Sequence, residues 1–133
     1  MAALRHEKTR LSNRRFYKKR SISFMQEKGN GVIISLEGKN AIVTGGGGGM
    51  GRCTALTLAA AGANLLVSDV NAEAAEAVAK EAEQYGVKAV AIKCDVTVKS
   101  EVDAMVELAV KTFGRIDILN HVAGVFGAVD FLQ

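Results

Sequence analysis

The sequence predicts an α/β protein: a doubly wound parallel sheet, partial, with about four strands in the order 3-2-1-4 and three helices. Three observations carry this. Short apolar runs alternate with longer segments of helical period. The helical segments close at Gly62, Gly86 and Gly114, each followed within two residues by an apolar run. A glycine cluster, Thr44-Gly45-Gly46-Gly47-Gly48-Gly49-Met50-Gly51, separates the first run from the first helical segment. Strands alternating with helices pair in parallel, each helix serving as a crossover. Right-handed crossovers then put the first two helices on one face of the sheet and the third on the other.

The elements follow in order from about Leu36. Asn40–Thr44 (NAIVT) is a short apolar strand that feeds the glycine cluster. Arg52–Ala61 is apolar and alanine-rich on most sides, the composition of a buried helix. Asn64–Ser68 (NLLVS) is a second buried strand. Asn71 is placed to cap a helix reaching Tyr85, in which Ala75, Val78, Ala79 and Ala82 follow three-four spacing. Lys88–Lys93 reads as the third strand. Thr97 is placed to cap the next helix, whose stripe is Val102, Met105, Val106, Ala109, Val110 and Phe113. Ile116–Asn120 is the fourth strand.

Composition bounds the function classes. A chain of 133 residues, 49% hydrophobic and 23% charged, has room for one globular domain. Its longest apolar run, Cys53 to Val67, is broken by threonines, Gly62 and Asn64. A membrane span needs about 20 apolar residues, so no membrane partner is expected. No hydrophobic signal core precedes the run, which suits a cytoplasmic protein. Cys53 and Cys94 lack metal-type or redox-type spacing and are expected as reduced, mostly buried thiols. His6 and His121 are too few and too far apart to suggest a metal site.

The net charge of +3 is unevenly placed. Residues 1–24 hold eight basic side chains against Glu7 alone, and the remainder holds nine basic and thirteen acidic ones, a balance of −4. Residues 1–35 therefore read as a basic arm, too poor in large apolar groups to offset its own ordering entropy. A solvated tail, a translated leader ahead of Met25 or Val32, a phosphate-contacting arm and an Arg-rich transit peptide all fit this composition. No aromatic-rich motif accompanies the charge, so no nucleic-acid partner is expected.

The glycine cluster has a physical rationale. A dinucleotide pyrophosphate must approach backbone amides at a helix N-terminus, where side chains would block it and the helix dipole favours negative charge. A glycine run alone is weak evidence; placed directly after a strand and directly before a helix, it reads as a phosphate cradle. Asp69 ends the second strand eighteen residues after Gly51, close to the spacing of about 20 expected for a ribose-binding carboxylate. Such a carboxylate accepts both adenosine-ribose hydroxyls and repels a 2′-phosphate, which favours NAD over NADP. Asp69 as a cap for the following turn is the plainer alternative, and Asn71 is better placed for that. Arg52 lies beyond the last glycine and does not decide the preference. Asp95-Val96 follow the third strand, where Asp95 either accepts from an adenine amine or serves as a loop residue ahead of Thr97. A methyltransferase binding S-adenosylmethionine also uses a glycine loop and an acid after the second strand, but fits the rest less well.

Taken together these motifs resemble the short-chain dehydrogenase/reductase family. Thr44-Gly45 through Gly49-Met50-Gly51 is similar to its TGxxxGxG cofactor motif, Asp69 to its NAD-selecting acid, and Cys94-Asp95-Val96-Thr97 to its adenine-contacting element. Phe113-Gly114-Arg115-Ile116-Asp117-Ile118-Leu119 looks like the stretch leading into its NNAG motif. The resemblance spans about residues 37–127. It implies a Rossmann-type dinucleotide-binding domain, truncated, over 36–133. The implied cofactor contacts are Gly45, Gly48, Gly49, Met50, Gly51, Asp69, Val70, Asp95, Val96, Ala123 and Gly124, with NAD preferred because of Asp69. It further implies hydride transfer on a small-molecule alcohol or ketone, and a homo-oligomer, for a full-length form.

Two departures qualify these expectations. The NNAG tetrapeptide reads His121-Val122-Ala123-Gly124, without the asparagines that in the family help fix the end of the fourth strand beside the cofactor. His121 stands there either as a replacement hydrogen-bond donor or as a tolerated polar residue. The family's chemistry also uses a Tyr-xxx-Lys pair with a serine downstream of NNAG. Here Tyr17 is followed four residues on by Ser21 and Tyr85 by Ala89, so no catalytic residue is assigned. The chain is thus expected to be the cofactor-binding half of an oxidoreductase, inactive alone; the alternative is a truncated nucleotide-binding module. An uncovered fourth strand would leave an apolar edge, and poor solubility is expected from it.

Overall fold

A computed structural model describes residues 34–124, and nearly all of the basic arm lies outside that range. The element order is β1 (Asn40–Thr44), α1 (Gly49–Ala60), β2 (Asn64–Asp69), α2 (Ala72–Ala82), β3 (Ala89–Lys93), α3 (Lys99–Phe113) and β4 (Ile118–His121). A single 3-10 turn, Glu83–Tyr85, extends α2 toward the end expected from sequence. The sheet is parallel throughout, in the order β3-β2-β1-β4. This is the Rossmann-type arrangement predicted above.

Alternation along the central strands sorts the core into two layers. Ala41 and Val43 of β1 and Leu65 and Val67 of β2 pack against Ala55 and Ala59 of α1 and Ala75, Val78, Ala79 and Ala82 of α2. Ile42 and Leu66 point the other way and meet Cys94 with Met105 and Ala109 of α3. The first two helices therefore share one face and the third takes the other. Leu65 and Leu66 are fully buried on opposite faces, and each such side chain contributes about 1.5–3 kcal/mol relative to exposure. The alanines of α1 and α2 allow the helices to lie close to the sheet. Asn71 caps α2 as expected, its side chain accepting from Ala74 N at 3.1 Å. Gly62, Gly86 and Gly114 all take positive φ.

Several expectations are corrected. Helix α1 starts at Gly49, not Arg52, because Gly48 to Met50 already enter the first turn. It is buried on one side only: Gly51, Ala55 and Ala59 face the sheet, while Arg52, Cys53 and Thr57 are exposed. Cys53 is thus a free surface thiol rather than a buried one; Cys94 is free and buried as expected. Burial pushes the Cys94 thiol above its ordinary pKa, with Glu101 and Asp95 adding to the effect. Thr97 does not cap α3. Val98 holds the cap position without a side-chain bond, because the Thr97 hydroxyl and amide both donate to Asp95. Of the predicted α3 stripe, Met105 and Ala109 are buried, whereas Val106 and Val110 remain 39% and 46% exposed. Strand β4 runs Ile118–His121, two residues later than predicted at its start; just ahead of it Asp117 N donates to Asn40 O at 2.9 Å and the Asp117 carboxylate accepts from Asn40 N.

A row of polar groups crosses the amino ends of the strands. Asp117 Oδ2 accepts from Asn40 N at 3.0 Å, Asn64 Nδ2 donates to Asn40 Oδ1 at 2.9 Å, and Lys88 N donates to Asn64 Oδ1 at 3.0 Å. These bonds join the beginnings of β4, β1, β2 and β3. They hold the register from below and leave the carboxyl ends free for a site.

Candidate functional site

Chain order reverses between β1 and its neighbours: β2 and β3 build outward on one side and β4 returns on the other. In an open parallel sheet the crevice beyond the carboxyl ends at such a point is where ligands are held. The glycine loop after β1 occupies it.

Two glycines there are demanded by space. Gly45 has φ +64°, and a Cβ on it would lie 2.8 Å from Ala123 N. The loop leaves β1 directly against the backbone that leaves β4. On Gly51 a Cβ would lie 2.0 Å from Gly45 O, so only glycine lets α1 start this close to the loop. Gly46 N donates to Ser68 O at 2.9 Å, fastening the loop to β2 as well. Gly48, Gly49 and Met50 form the outer rim. Nothing lies within 4 Å of where a Cβ on Gly48 or Gly49 would stand, and Met50 is 77% exposed. No side chain caps the start of α1, and its first turn carries no acid. Uncapped first-turn amides with the positive end of the helix dipole suit an anionic group.

Asp69 stands at the carboxyl end of β2, half-buried, with both oxygens engaged. Oδ2 accepts from Gly47 N at 2.9 Å and Oδ1 from Asn71 N at 3.0 Å. The carboxylate therefore joins the glycine loop to the start of α2. A Cβ on Gly47 would stand 2.9 Å from Asp69 Oδ2, so the close approach depends on that glycine. The two sequence readings of Asp69 are not exclusive: it braces the turn and also sits at the mouth of the crevice, beside the exposed Val70. Arg52 turns away and forms a paired contact with Glu81, at 2.6–3.1 Å. The hydrogen bonds it donates to Glu81, with the charge of that carboxylate, hold its guanidinium pKa above the ordinary value.

Asp95 and Val96 follow β3 toward the same edge of the sheet. Asp95 Oδ1 accepts from Thr97 Oγ1 at 2.7 Å and Thr97 N at 2.9 Å, and its own amide donates to Glu101 Oε2 at 2.7 Å. The Thr97 hydroxyl bond, then the Thr97 amide, hold its carboxyl below the usual range. These are the bonds of the loop role. Ala123 and Gly124 follow β4, where Ala123 N donates to Thr44 O at 3.1 Å and approaches Thr44 Oγ1 at 3.3 Å.

The expected residues are thus gathered on one edge: the loop and Ala123-Gly124 at its centre, Asp69-Val70 and Asp95-Val96 toward β3. Sequence reasoning missed the contributions of Gly47, Thr44 and Glu101. Thr44 is polar yet 1% exposed. Its place at the junction of β1 and the glycine cluster was the available signal. From Gly45 to Gly49 the loop presents backbone alone, which suits the close approach of an anionic group.

Comparison with known proteins agrees with the geometry. The family model described as short chain dehydrogenase matches residues 39–133. The 7alpha-hydroxysteroid dehydrogenase of Escherichia coli K12 is 44% identical over 102 residues, covering 77% of this chain and 40% of that protein. The crystal structure of hydroxysteroid dehydrogenase from Escherichia coli has 42% identity and a TM-score of 0.71, covering 76% of this chain and 43% of that one. A 7 alpha-hydroxysteroid dehydrogenase complexed with NADH and 7-oxo glycochenodeoxycholic acid has 45% identity and a TM-score of 0.63, covering 65% and 34%. The chain therefore spans about two fifths of the length of the relatives it matches. The matched segment contains the glycine loop, the Asp69 brace and all four strands, and the chain belongs to the short chain dehydrogenase family.

Proposed function

We propose that this chain holds a nicotinamide adenine dinucleotide, NAD in preference to NADP, as the cofactor-binding part of an oxidoreductase acting on an alcohol or ketone. The observation that carries the reading is the glycine loop, open at Gly48 and Gly49 and braced through Gly47 N by the Asp69 carboxylate. Gly45, Gly48, Gly49, Met50 and Gly51 would receive the pyrophosphate. Asp69 and Val70 would receive the adenosine ribose, Asp95 and Val96 the adenine, and Ala123 and Gly124 the far half of the cofactor. The bound nicotinamide supplies the hydride acceptor or donor; these residues bind and orient it. No proton-transfer residue is assigned among the 133 residues. The NADH-bound relative supports the cofactor class.

We place the domain at residues 36–133, with 1–35 as a basic arm. A cytoplasmic location and homo-oligomerisation of the full-length protein accompany the reading. No helix among the described residues is long and apolar enough to cross a membrane. The test is a titration of the 133-residue chain with NADH and NADPH, followed by nucleotide fluorescence. Asp69 predicts NADH binding about tenfold or more tighter, as repulsion between the carboxylate and a 2′-phosphate requires. Equal or tighter NADPH binding would overturn the preference, and absence of binding by either would overturn the function.

A further inference from the structure

The end of β4, at His121, holds one feature the cofactor reading does not use. In register, His121 stands beside Thr44, and Thr44 stands beside Ser68. Alternation from Ile42 and Leu66 puts Thr44 and Ser68 on the α3 side of the sheet, one level above those core residues. His121 Nδ1 lies 3.2 Å from Thr44 Oγ1. The same Thr44 oxygen lies 3.3 Å from Ala123 N, which donates to it, while Thr44 O accepts from Val122 N and Ala123 N. Gly45 follows Thr44 and has no room for a Cβ against Ala123 N. Both walls of the crevice thus converge on one hydroxyl, and His121 is the side chain that meets it.

We propose that His121 is a positioning residue for the dinucleotide cradle, acting through Nδ1 on the Thr44 hydroxyl. A threonine hydroxyl rotates freely unless a partner fixes it. With the imidazole on one side, the oxygen keeps a lone pair toward Ala123 N, and the end of β4 stays against the beginning of the glycine loop. The inference rests on the cofactor reading above. It deepens that reading by naming a residue 77 positions from Thr44 in the chain as a determinant of affinity.

The geometry distinguishes Nδ1 from the rest of the ring. Nδ1 is bonded to Cγ, as are the terminal atoms of asparagine, so His121→Asn keeps a polar atom in the Nδ1 position. His121→Gln moves the polar atoms one bond outward, nearer the Nε2 position, and His121→Ala removes them. Ser68→Ala is the control. It alters the same level of the sheet one strand away, at a buried hydroxyl without a hydrogen-bond partner among the described residues.

The experiment measures NADH affinity and thermal unfolding for the 133-residue chain and its variants, including Thr44→Val and the double variant Thr44→Val/His121→Ala. His121→Ala should weaken NADH binding about fivefold, the size of one lost hydrogen bond. His121→Asn should restore affinity to within about twofold, and neither His121→Gln nor the control should reproduce this pattern of loss and rescue. The double variant should bind no more weakly than Thr44→Val, because both changes break one linkage. Unchanged affinity in His121→Ala, with only the melting temperature lowered, would reduce His121 to a strand-end residue and overturn the proposal. Rescue by glutamine equal to that by asparagine, or fully additive losses, would overturn it as well. If the unmodified chain fails to bind NADH, the underlying cofactor reading falls first, an outcome distinct from all of these.

Discussion

Asp69 serves as a brace before any ligand arrives. Its two oxygens hold Gly47 N and Asn71 N, so the residue expected to select the cofactor also shapes the glycine loop proposed to receive it. Hydrogen bonds to a charged group contribute about 1.5–3 kcal/mol each. Removing the carboxylate releases the loop as well as the repulsion toward a 2′-phosphate. Asp69→Ala is therefore expected to weaken NADH binding about tenfold or more without producing tight NADPH binding. Titration with both nucleotides checks this. A variant that simply exchanged one preference for the other would show that the brace to Gly47 is dispensable. The spacing of Asp69 from the glycine cluster was legible in sequence. Its bond to Gly47 was not, because that bond depends on how closely the loop lies over the end of β2.

Among the elements, β1 was read most closely, and the starts of α1 and β4 least. The extent of β1 is as predicted, since four consecutive apolar or small residues bounded by Asn40 and the glycine cluster leave little choice. Just ahead of β4, Asp117 meets Asn40 through its amide as well as its side chain. Asp117 Oδ2 accepts the first amide of β1, and Arg115 pairs with its other oxygen. Burial of this carboxyl, whose side chain is 7% exposed, raises its pKa. The Asn40 amide, the Arg115 bond and charge, and Lys39 outweigh that, and the net shift is downward. A carboxyl depressed in the folded state stabilises above its unfolded pKa of about 3.9 and loses that contribution as pH falls through the folded value. Urea unfolding at pH 7 should show Asp117→Asn less stable than the parent. At pH 2 the difference should shrink as the parent carboxyl protonates. A difference that persisted unchanged in acid would mean the ionised carboxylate is not what holds the β4 end of the sheet.

For the whole molecule, the uneven cover of the sheet matters most. Strand β4 pairs only with β1 among the described residues. Leu119 is 62% exposed, and by register with Ile42 it lies on the α3 side, where Val106 and Val110 are also exposed. Apolar groups on an unpaired parallel strand favour association between copies. The 133-residue chain should therefore show concentration-dependent light scattering, and Leu119→Lys with Val110→Glu should reduce it. A monodisperse monomer throughout the concentration series would contradict this. The stripe predicted for α3 was correct in period but broader than the side that is buried, since periodicity identifies an apolar face and not its cover.

The sequence by itself determined the βαβ alternation and the glycine loop between β1 and α1, because each depends on neighbours within a turn or a strand; the strand order followed from the right-handed crossovers that this alternation imposes. The family resemblance drawn from those motifs held for the same reason. Only the tertiary structure decided that Cys53 faces solvent, that Thr97 bonds Asp95 instead of capping α3, and that Arg52 pairs with Glu81. It also decided the links from Asn40 to Asp117 and from Thr44 to His121, each joining residues 77 positions apart. Such bonds depend on sheet register, which is set by the packing of both faces at once and leaves no periodic trace in the chain.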